Sequence, residues 1–370
     1  MESGTVGCCG KTGAEPAGRV PGGSQTNVLI IGGTGLISTT ATRVLLRRGH
    51  HVTHYNRARK ASPFAGLVQQ IVGDRTEHAR FERQMRDAGT FDCVIDMAAY
   101  REVDAASAVR ALTGRTPHYV FCSTVDVYTK PASVYPVEEG AQRRPRESFP
   151  YAFEKARCEH LLESAAADGA FALTILRPAH TYGEASGLLD PFMSPPFFID
   201  RIRRGLPLIV HGDGTSLWTS CHRDDVGTAF ANAVDTPAAR GRDYIVAGDE
   251  CMTWNQYWEG VAAALGKPTP PLVHIPTDLL AAMEPERASW CKENLQYDNV
   301  FRNERAKREL GFAVTVRWVD GVRGVVSSLD AGDGVPSCRD YPWYDRIIES
   351  WERYGKQIAE PLHANGPDAP

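Results

Sequence analysis

The sequence predicts an α/β fold, a doubly wound parallel sheet that carries a smaller C-terminal lobe. Three observations predict it. Short β-branched runs alternate with helical patterns between Asn27 and Leu176; a Gly-rich turn separates the first run from the first helix; and beyond Pro178 the rhythm breaks into Pro, Gly and aromatic residues. Strands separated by helices need crossover connections, which make neighbouring strands parallel.

Residues 27–31 (NVLII) read as the first strand, with GGTG directly after. Residues 39–48 carry a helical pattern closed by Gly49, and residues 51–55 (HVTHY) are a second strand. Strand, Gly-rich turn, helix and strand make one βαβ unit. Ile71 and Val72 end a third strand; residues 93–97 (CVIDM), 119–123 (YVFCS) and 173–176 (LTIL) supply three more. Helices fit at residues 105–112 and 154–167. This is the order of a Rossmann-type dinucleotide-binding half. A helix opened by Asp224 and a strand at residues 244–247 are expected to return to the same sheet. The division is a disordered leader (1–25), the Rossmann half (26–180, joined by 222–250), a substrate lobe (181–221 and 251–362) and a tail (363–370).

Composition narrows the function. Hydrophobic residues at 42% and charged residues at 23% suit a chain that buries a full core. A net charge of −4 argues against a general nucleic-acid surface. No apolar run is long enough for a membrane span. The nine cysteines are irregularly spaced with no CxxC pair, so neither a disulfide framework nor a zinc site is indicated, and no metal is expected. A reducing cytoplasm is the simplest setting. The leader lacks the apolar stretch of a secretory signal.

Gly32, Thr34, Gly35, Leu36 and Ile37 are the candidate pyrophosphate cradle, because a glycine turn at a helix start lets backbone N–H groups approach an anion. The third glycine position is Ser38. At the end of the second strand stand Asn56 and Arg57, with Arg59 and Lys60 beyond and no acid. A carboxylate there prefers NAD and an Arg tolerates a 2′-phosphate, so the choice between NAD and NADP leans toward NADP. Asp74 reads either as an adenine contact or as a turn residue.

Tyr151 and Lys155 form a YxxxK pair on one helix face. A lysine cation and a nicotinamide charge both favour phenolate, which suits the phenol for proton transfer. Thr124, with Ser123 at a strand end upstream, supplies a hydroxyl for the same substrate oxygen.

The ordered segments GGTGLIS, GDR, MAAY, FCSTVDVY, YAFEK, LRPAHTYGE, HGDGTS, HRDDV and NERAKRELGF together resemble the NAD-dependent epimerase/dehydratase family, the extended short-chain dehydrogenases, from about Asn27 to Phe312. The resemblance implies a catalytic triad of Thr124, Tyr151 and Lys155. It places Ala98, Ala99 and Pro178 at the cofactor. His180 falls where a substrate-binding Asn is common, and Tyr100, Arg101, Tyr182 and Trp218 are further substrate candidates. Departures sharpen this. Family dehydratases resemble STDEVYG, with an Asp–Glu pair; here Val125 takes the acid position and Asp126 the other. Asp126 is either a base for a carbon-bound proton or a strand-end cap. Trp218 falls where an Arg usually clamps a diphosphate, and Arg101, Arg201 and Arg302 are alternative clamps.

The leading expectation is an epimerase acting on a sugar or sugar-containing molecule through a transient keto intermediate. The alternatives are an NADPH-dependent ketone reductase using the same triad, and a non-enzymatic RNA-binding protein, since the Gly turn and SLWTS also resemble the plant stem-loop-binding branch. The expected partner is a small sugar-like molecule; a homodimer is left open.

Overall fold

The computed structural model describes residues 25–59, 61–184 and 186–364. The expected leader through residue 24, the last six residues of the expected tail, Cys8, Cys9 and Lys60 lie outside the described residues.

The first βαβ unit consists of β1 (Asn27–Ile31), α1 (Leu36–Arg47) and β2 (His51–Asn56). The helix starts at Leu36 rather than at residue 39, because Gly35 is extended and acts as its N-cap. There follow β3 (Gln69–Val72), α2 (His78–Ala88), β4 (Cys93–Asp96), α3 (Glu102–Leu112), β5 (His118–Cys122), α4 (Pro150–Ala167) and β6 (Ala172–Pro178). Next come β7 (His180–Tyr182), α5 (Phe198–Arg204), β8 (Leu208–His211), β9 (Leu217–His222), α6 (Arg223–Asp235) and β10 (Arg242–Val246).

Seven strands form the main sheet in the order β10-β6-β5-β4-β1-β2-β3, and every neighbouring pair is parallel. The doubly wound sheet is therefore as expected, and β10 is the return from beyond the lobe. Central strands such as β4 and β5 are buried along their whole length, as a sheet covered on both faces requires. Side chains of α1 and α6 pack on one face, with Val44, Leu45, Val226 and Phe230 at the centre. Phe81, Ala108, Leu112 and Leu162 of α2, α3 and α4 cover the other.

The lobe holds β11 (Cys251–Thr253), α7 (Trp254–Ala264), β12 (Leu272–Ile275), α8 (Thr277–Met283), α9 (Glu304–Leu310), α10 (Trp318–Ala331) and α11 (Pro342–Ala364) in sequence. A three-stranded sheet β11-β9-β7 and a β12-β8 pair surround a core rich in aromatics, including Trp254, Tyr257, Trp258 and Tyr344. One element departs from the expected division. α9 packs Ala306 and Leu310, with Phe312, into the Rossmann core beside α6 and β10.

Among the described residues, no helix is long and apolar enough to cross a membrane. The described cysteines are free; Cys251 is exposed and the rest are buried.

Candidate active site

One cleft of about 770 Å³ runs along the C-terminal edge of the main sheet and under the lobe. This is where open parallel sheets hold ligands, because the strand ends, helix starts and loops converge there.

The cradle lies at its floor. Gly32 has φ +87, a conformation side chains disfavour. A Cβ on Gly33 would lie 2.4 Å from the His54 ring, so glycine is needed there for space rather than for φ. Ser38 replaces the third glycine without opening the turn. Its hydroxyl donates to the Gly32 carbonyl at 2.7 Å and accepts the Gly35 N–H at 2.8 Å. The close approach of α1 falls instead to Gly227 of α6, where a Cβ would meet Thr40 at 2.5 Å and the Ile37 carbonyl at 2.8 Å.

The end of the cleft beyond β2, where an adenosine is expected, is lined by Asn56, Arg57, Arg59 and Asp74. Asn56 accepts from the Ala58 N–H at 3.0 Å and the Gln70 amide at 2.8 Å, while its own buried Nδ2 has no partner among the described residues. Asp74 accepts the Thr76 N–H and hydroxyl at 2.9 and 2.7 Å. Those bonds, aided by Arg57 and Arg59, hold its carboxyl below the usual range. An unpartnered amide donor beside two exposed cations fits an anionic, acceptor-rich group. The glycine cradle fits a pyrophosphate. The residues present thus fit a nicotinamide dinucleotide, which when bound supplies hydride exchange with a carbon–oxygen centre.

Asp96, fully buried at the end of β4, shapes the neighbouring loop. It accepts the Ala98 and Ala99 N–H groups at 2.8 and 3.0 Å and the Tyr119 hydroxyl at 2.6 Å. The Ala99 carbonyl, with that of Cys122, then receives Lys155 Nζ at 2.9 and 2.7 Å. Ala99 so serves the site through its backbone without lining the cleft, whereas Ala98 and Pro178 line it. An ammonium has three N–H donors, so Lys155 keeps one. The Tyr100 ring lies 4.7 Å from its charge.

Thr124 and Tyr151 line the cleft beside Lys155. Burial foremost, then the charge of Asp126, pushes the Tyr151 phenol well above its usual range; the Thr124 hydroxyl works the other way. The expected lowering would need further positive charge, which a bound nicotinamide and the remaining N–H of Lys155 would supply. As arranged, the Tyr151 phenol keeps its proton and lies with the Thr124 hydroxyl on the same cleft wall.

Asp126 lines the cleft but is not free. Its Oδ1 accepts Lys130 Nζ at 2.8 Å, and its own N–H donates to Thr124 Oγ1 at 3.2 Å. The Lys130 contact occupies that oxygen, so Oδ1 is not open to a carbon-bound proton.

Of the substrate candidates, Tyr100, His180 and Trp218 line the cleft. Burial pushes the His180 ring down to about 4, so it is neutral, and its Nδ1 meets Ser220 Oγ at 2.8 Å. Trp218 belongs to the lobe core and also lines the cleft: it packs 5.0 Å from Trp254, while its buried indole N–H has no partner among the described residues. Tyr182 does not reach the cleft. It is 1% exposed, and its ring meets Trp318 at 4.7 Å and the flank of Gly321. Arg101 does not either, being the exposed N-cap of α3 and 3.5 Å from Asp104. The alternative clamps are engaged elsewhere, Arg201 with Asp345 and Arg302 with Glu138.

Sequence reasoning missed Trp290, Asn294, Asn299 and Phe301, which close the substrate end from the lobe. Trp290 lies 5.3 Å from the Tyr151 ring and edge-on to Phe149 at 4.9 Å. It caps a π-helical turn, Cys291–Leu295. Such turns are frequent at functional sites, but no short motif announces them.

Fold and site together define a nicotinamide-dependent enzyme of the short-chain dehydrogenase class. Residues 28–115 and 104–247 match the model of the NAD dependent epimerase/dehydratase family, and the chain belongs to that family. It is 29% identical over 274 residues, 74% of this chain and 76% of the relative, to 2′-dehydrokanamycin reductase of Streptomyces kanamyceticus. It is 26% identical over 333 residues, 85% and 82% of the two chains, to a chloroplast stem-loop binding protein of Arabidopsis thaliana. Among solved structures, a UDP-glucose-4-epimerase from Stenotrophomonas maltophila, with bound NAD and formylated UDP-arabinopyranose, superposes with a TM-score of 0.68 at 20% identity, covering 84% of this chain and 99% of that one.

Proposed function

We propose that the chain is an NADP-dependent oxidoreductase interconverting a ketone and a secondary alcohol on a phosphate-free, sugar-like ring. Thr124, Tyr151 and Lys155 handle the substrate oxygen. One observation carries the reading: among the described residues lining the substrate half of the cleft, Asp126 and Lys155 are the charged ones. A diphosphate desolvated there would lack the charge-assisted partners it needs. Asn56, Arg57 and Arg59 support NADP at the other end, and the name of the Streptomyces relative supports net reduction of a glycoside.

The test is NADPH oxidation at 340 nm against a panel of keto-glycosides and nucleotide-diphosphate keto-sugars. Turnover of the former, with Tyr151→Phe slower by about a hundredfold or more and cofactor binding kept, supports the reading. Turnover confined to the nucleotide-linked sugars overturns it.

The family match favours a second reading, an epimerase, because the same three residues serve hydride return to either face. Retained cofactor, with inversion of the substrate and no net absorbance change, would establish it. The name of the Arabidopsis relative leaves RNA binding as a third arm, read by a salt-dependent gel shift.

A further inference from the structure

Lys130 is buried behind the wall of the substrate cleft. Its side chain is 9% exposed, and Lys130 is not among the residues that line the cleft. Its ammonium nevertheless gathers three residues that do. Nζ donates to Asp126 Oδ1 at 2.8 Å, to Asn299 Oδ1 at 2.7 Å and to Asn294 Oδ1. An ammonium has three N–H donors, and all three are used, so none remains for a substrate phosphate or carboxylate. The residues joined come from both parts of the molecule. Asp126 belongs to the turn after β5 that carries Thr124, whereas Asn294 lies in the π-helical turn of the lobe.

The carboxylate is thereby fixed by one oxygen. Among the described residues no hydrogen bond reaches its Oδ2, and Asp126 borders the cleft. Asp126 lines the cleft together with Tyr151 and His180, and its N–H is bonded to the Thr124 hydroxyl at 3.2 Å, which keeps it on the same side of the cleft as the groups that would meet a substrate oxygen. A carboxylate with one oxygen pinned and one presented is an oriented acceptor for a hydroxyl.

We propose that Lys130 and Asp126 act as one positioning unit that selects substrates bearing a hydroxyl next to the reacting carbonyl, with Asp126 Oδ2 accepting that hydroxyl. Lys130 is a positioning residue, acting through Asp126 and the two asparagines. The assignment rests on the ketone–alcohol reading of the site and names its substrate class, an α-hydroxyketone or vicinal diol rather than an isolated ketone.

The test reads binding, not turnover, on the full chain carrying Tyr151→Phe and saturated with NADP. The probes are 2-hydroxycyclohexanone and cyclohexanone, two ketones differing by the one hydroxyl, with dissociation constants from calorimetry. The expected result is a preference for the hydroxyketone of about tenfold or more, falling to near parity in Lys130→Met while the cyclohexanone constant moves by less than about threefold. Should Lys130→Met fail to fold, Asp126→Asn answers the same question, since it keeps shape and removes the charge. Equal binding of the two probes, no binding of either, or a preference that survives the folded Lys130 or Asp126 variant overturns the proposal. Because chemistry is already disabled, failure of the redox reading shows separately, as absent turnover in the Tyr151 protein.

Discussion

The Ser38 hydroxyl donates to the carbonyl of Gly32 at 2.7 Å, closing the cofactor turn from inside. Ser38→Ala removes that bond and its acceptance of the Gly35 N–H, leaving two polar groups of the turn to find water. We expect cofactor affinity to fall about three- to tenfold with little change in Tm, because the turn borders solvent. Calorimetric titration checks it; unchanged affinity would show that the turn holds its shape without the serine.

Gly33 and His54 exclude one another's side chains. Gly33→Ala should destabilise by about 1–3 kcal/mol, the usual range for overpacking. His54→Ala should also destabilise, since it loses the 2.9 Å bond to Thr42. The double variant should be less destabilised than the sum of the singles, because the smaller residue makes room for the methyl. Strict additivity in urea unfolding would refute the steric account.

At the adenosine end, Arg57→Asp should weaken NADP by tenfold or more and NAD by little. The new carboxylate would repel a 2′-phosphate and accept a free 2′-hydroxyl. Fluorescence titration with both nucleotides decides it, and equal losses would remove Arg57 from cofactor recognition.

Acid should weaken the fold. Burial drives His54, His118, His180 and His211 each from 6.5 down to about 4. Between those values the unfolded chain binds more protons, so stability is lost as pH falls. Asp190 opposes this. Burial lifts its carboxyl from 3.8 to about 6, so there the folded chain holds the extra proton. Four groups outweigh one, and the urea midpoint should be lower at pH 5 than at pH 7, with His118→Gln reducing the dependence. A midpoint independent of pH in that range would contradict the burial of these rings in solution.

Much of this was legible in one sequence. The strands announce themselves because parallel central strands are apolar runs, and GGTG, YAFEK and the residues after β2 are local patterns whose spacing follows from backbone geometry. Tyr182 illustrates where a local motif stops. Its place in LRPAHTYGE made it a substrate candidate beside His180, yet the bare flank of Gly321 takes up its ring in the lobe core. The role of Asp126 was ambiguous because Lys130, four residues on, has no register with it until Asn294 and Asn299 arrive from far down the chain. Trp290 carried no signal, since a lone tryptophan in a helical stretch reads as core.

The flank of β6 is covered by β10, a strand that the chain reaches only after building part of the lobe. The nucleotide-binding half is therefore not a contiguous stretch of gene. A polypeptide ending at residue 180 would present the β6 backbone as an open edge, ready to recruit another chain. It would also strip α1 of the helix that Gly227 allows so near. Exchanging the lobe for one with another substrate preference thus means replacing the inserts before β10 and before α9 together with the segment that carries α10 and α11, not swapping a single terminal cassette.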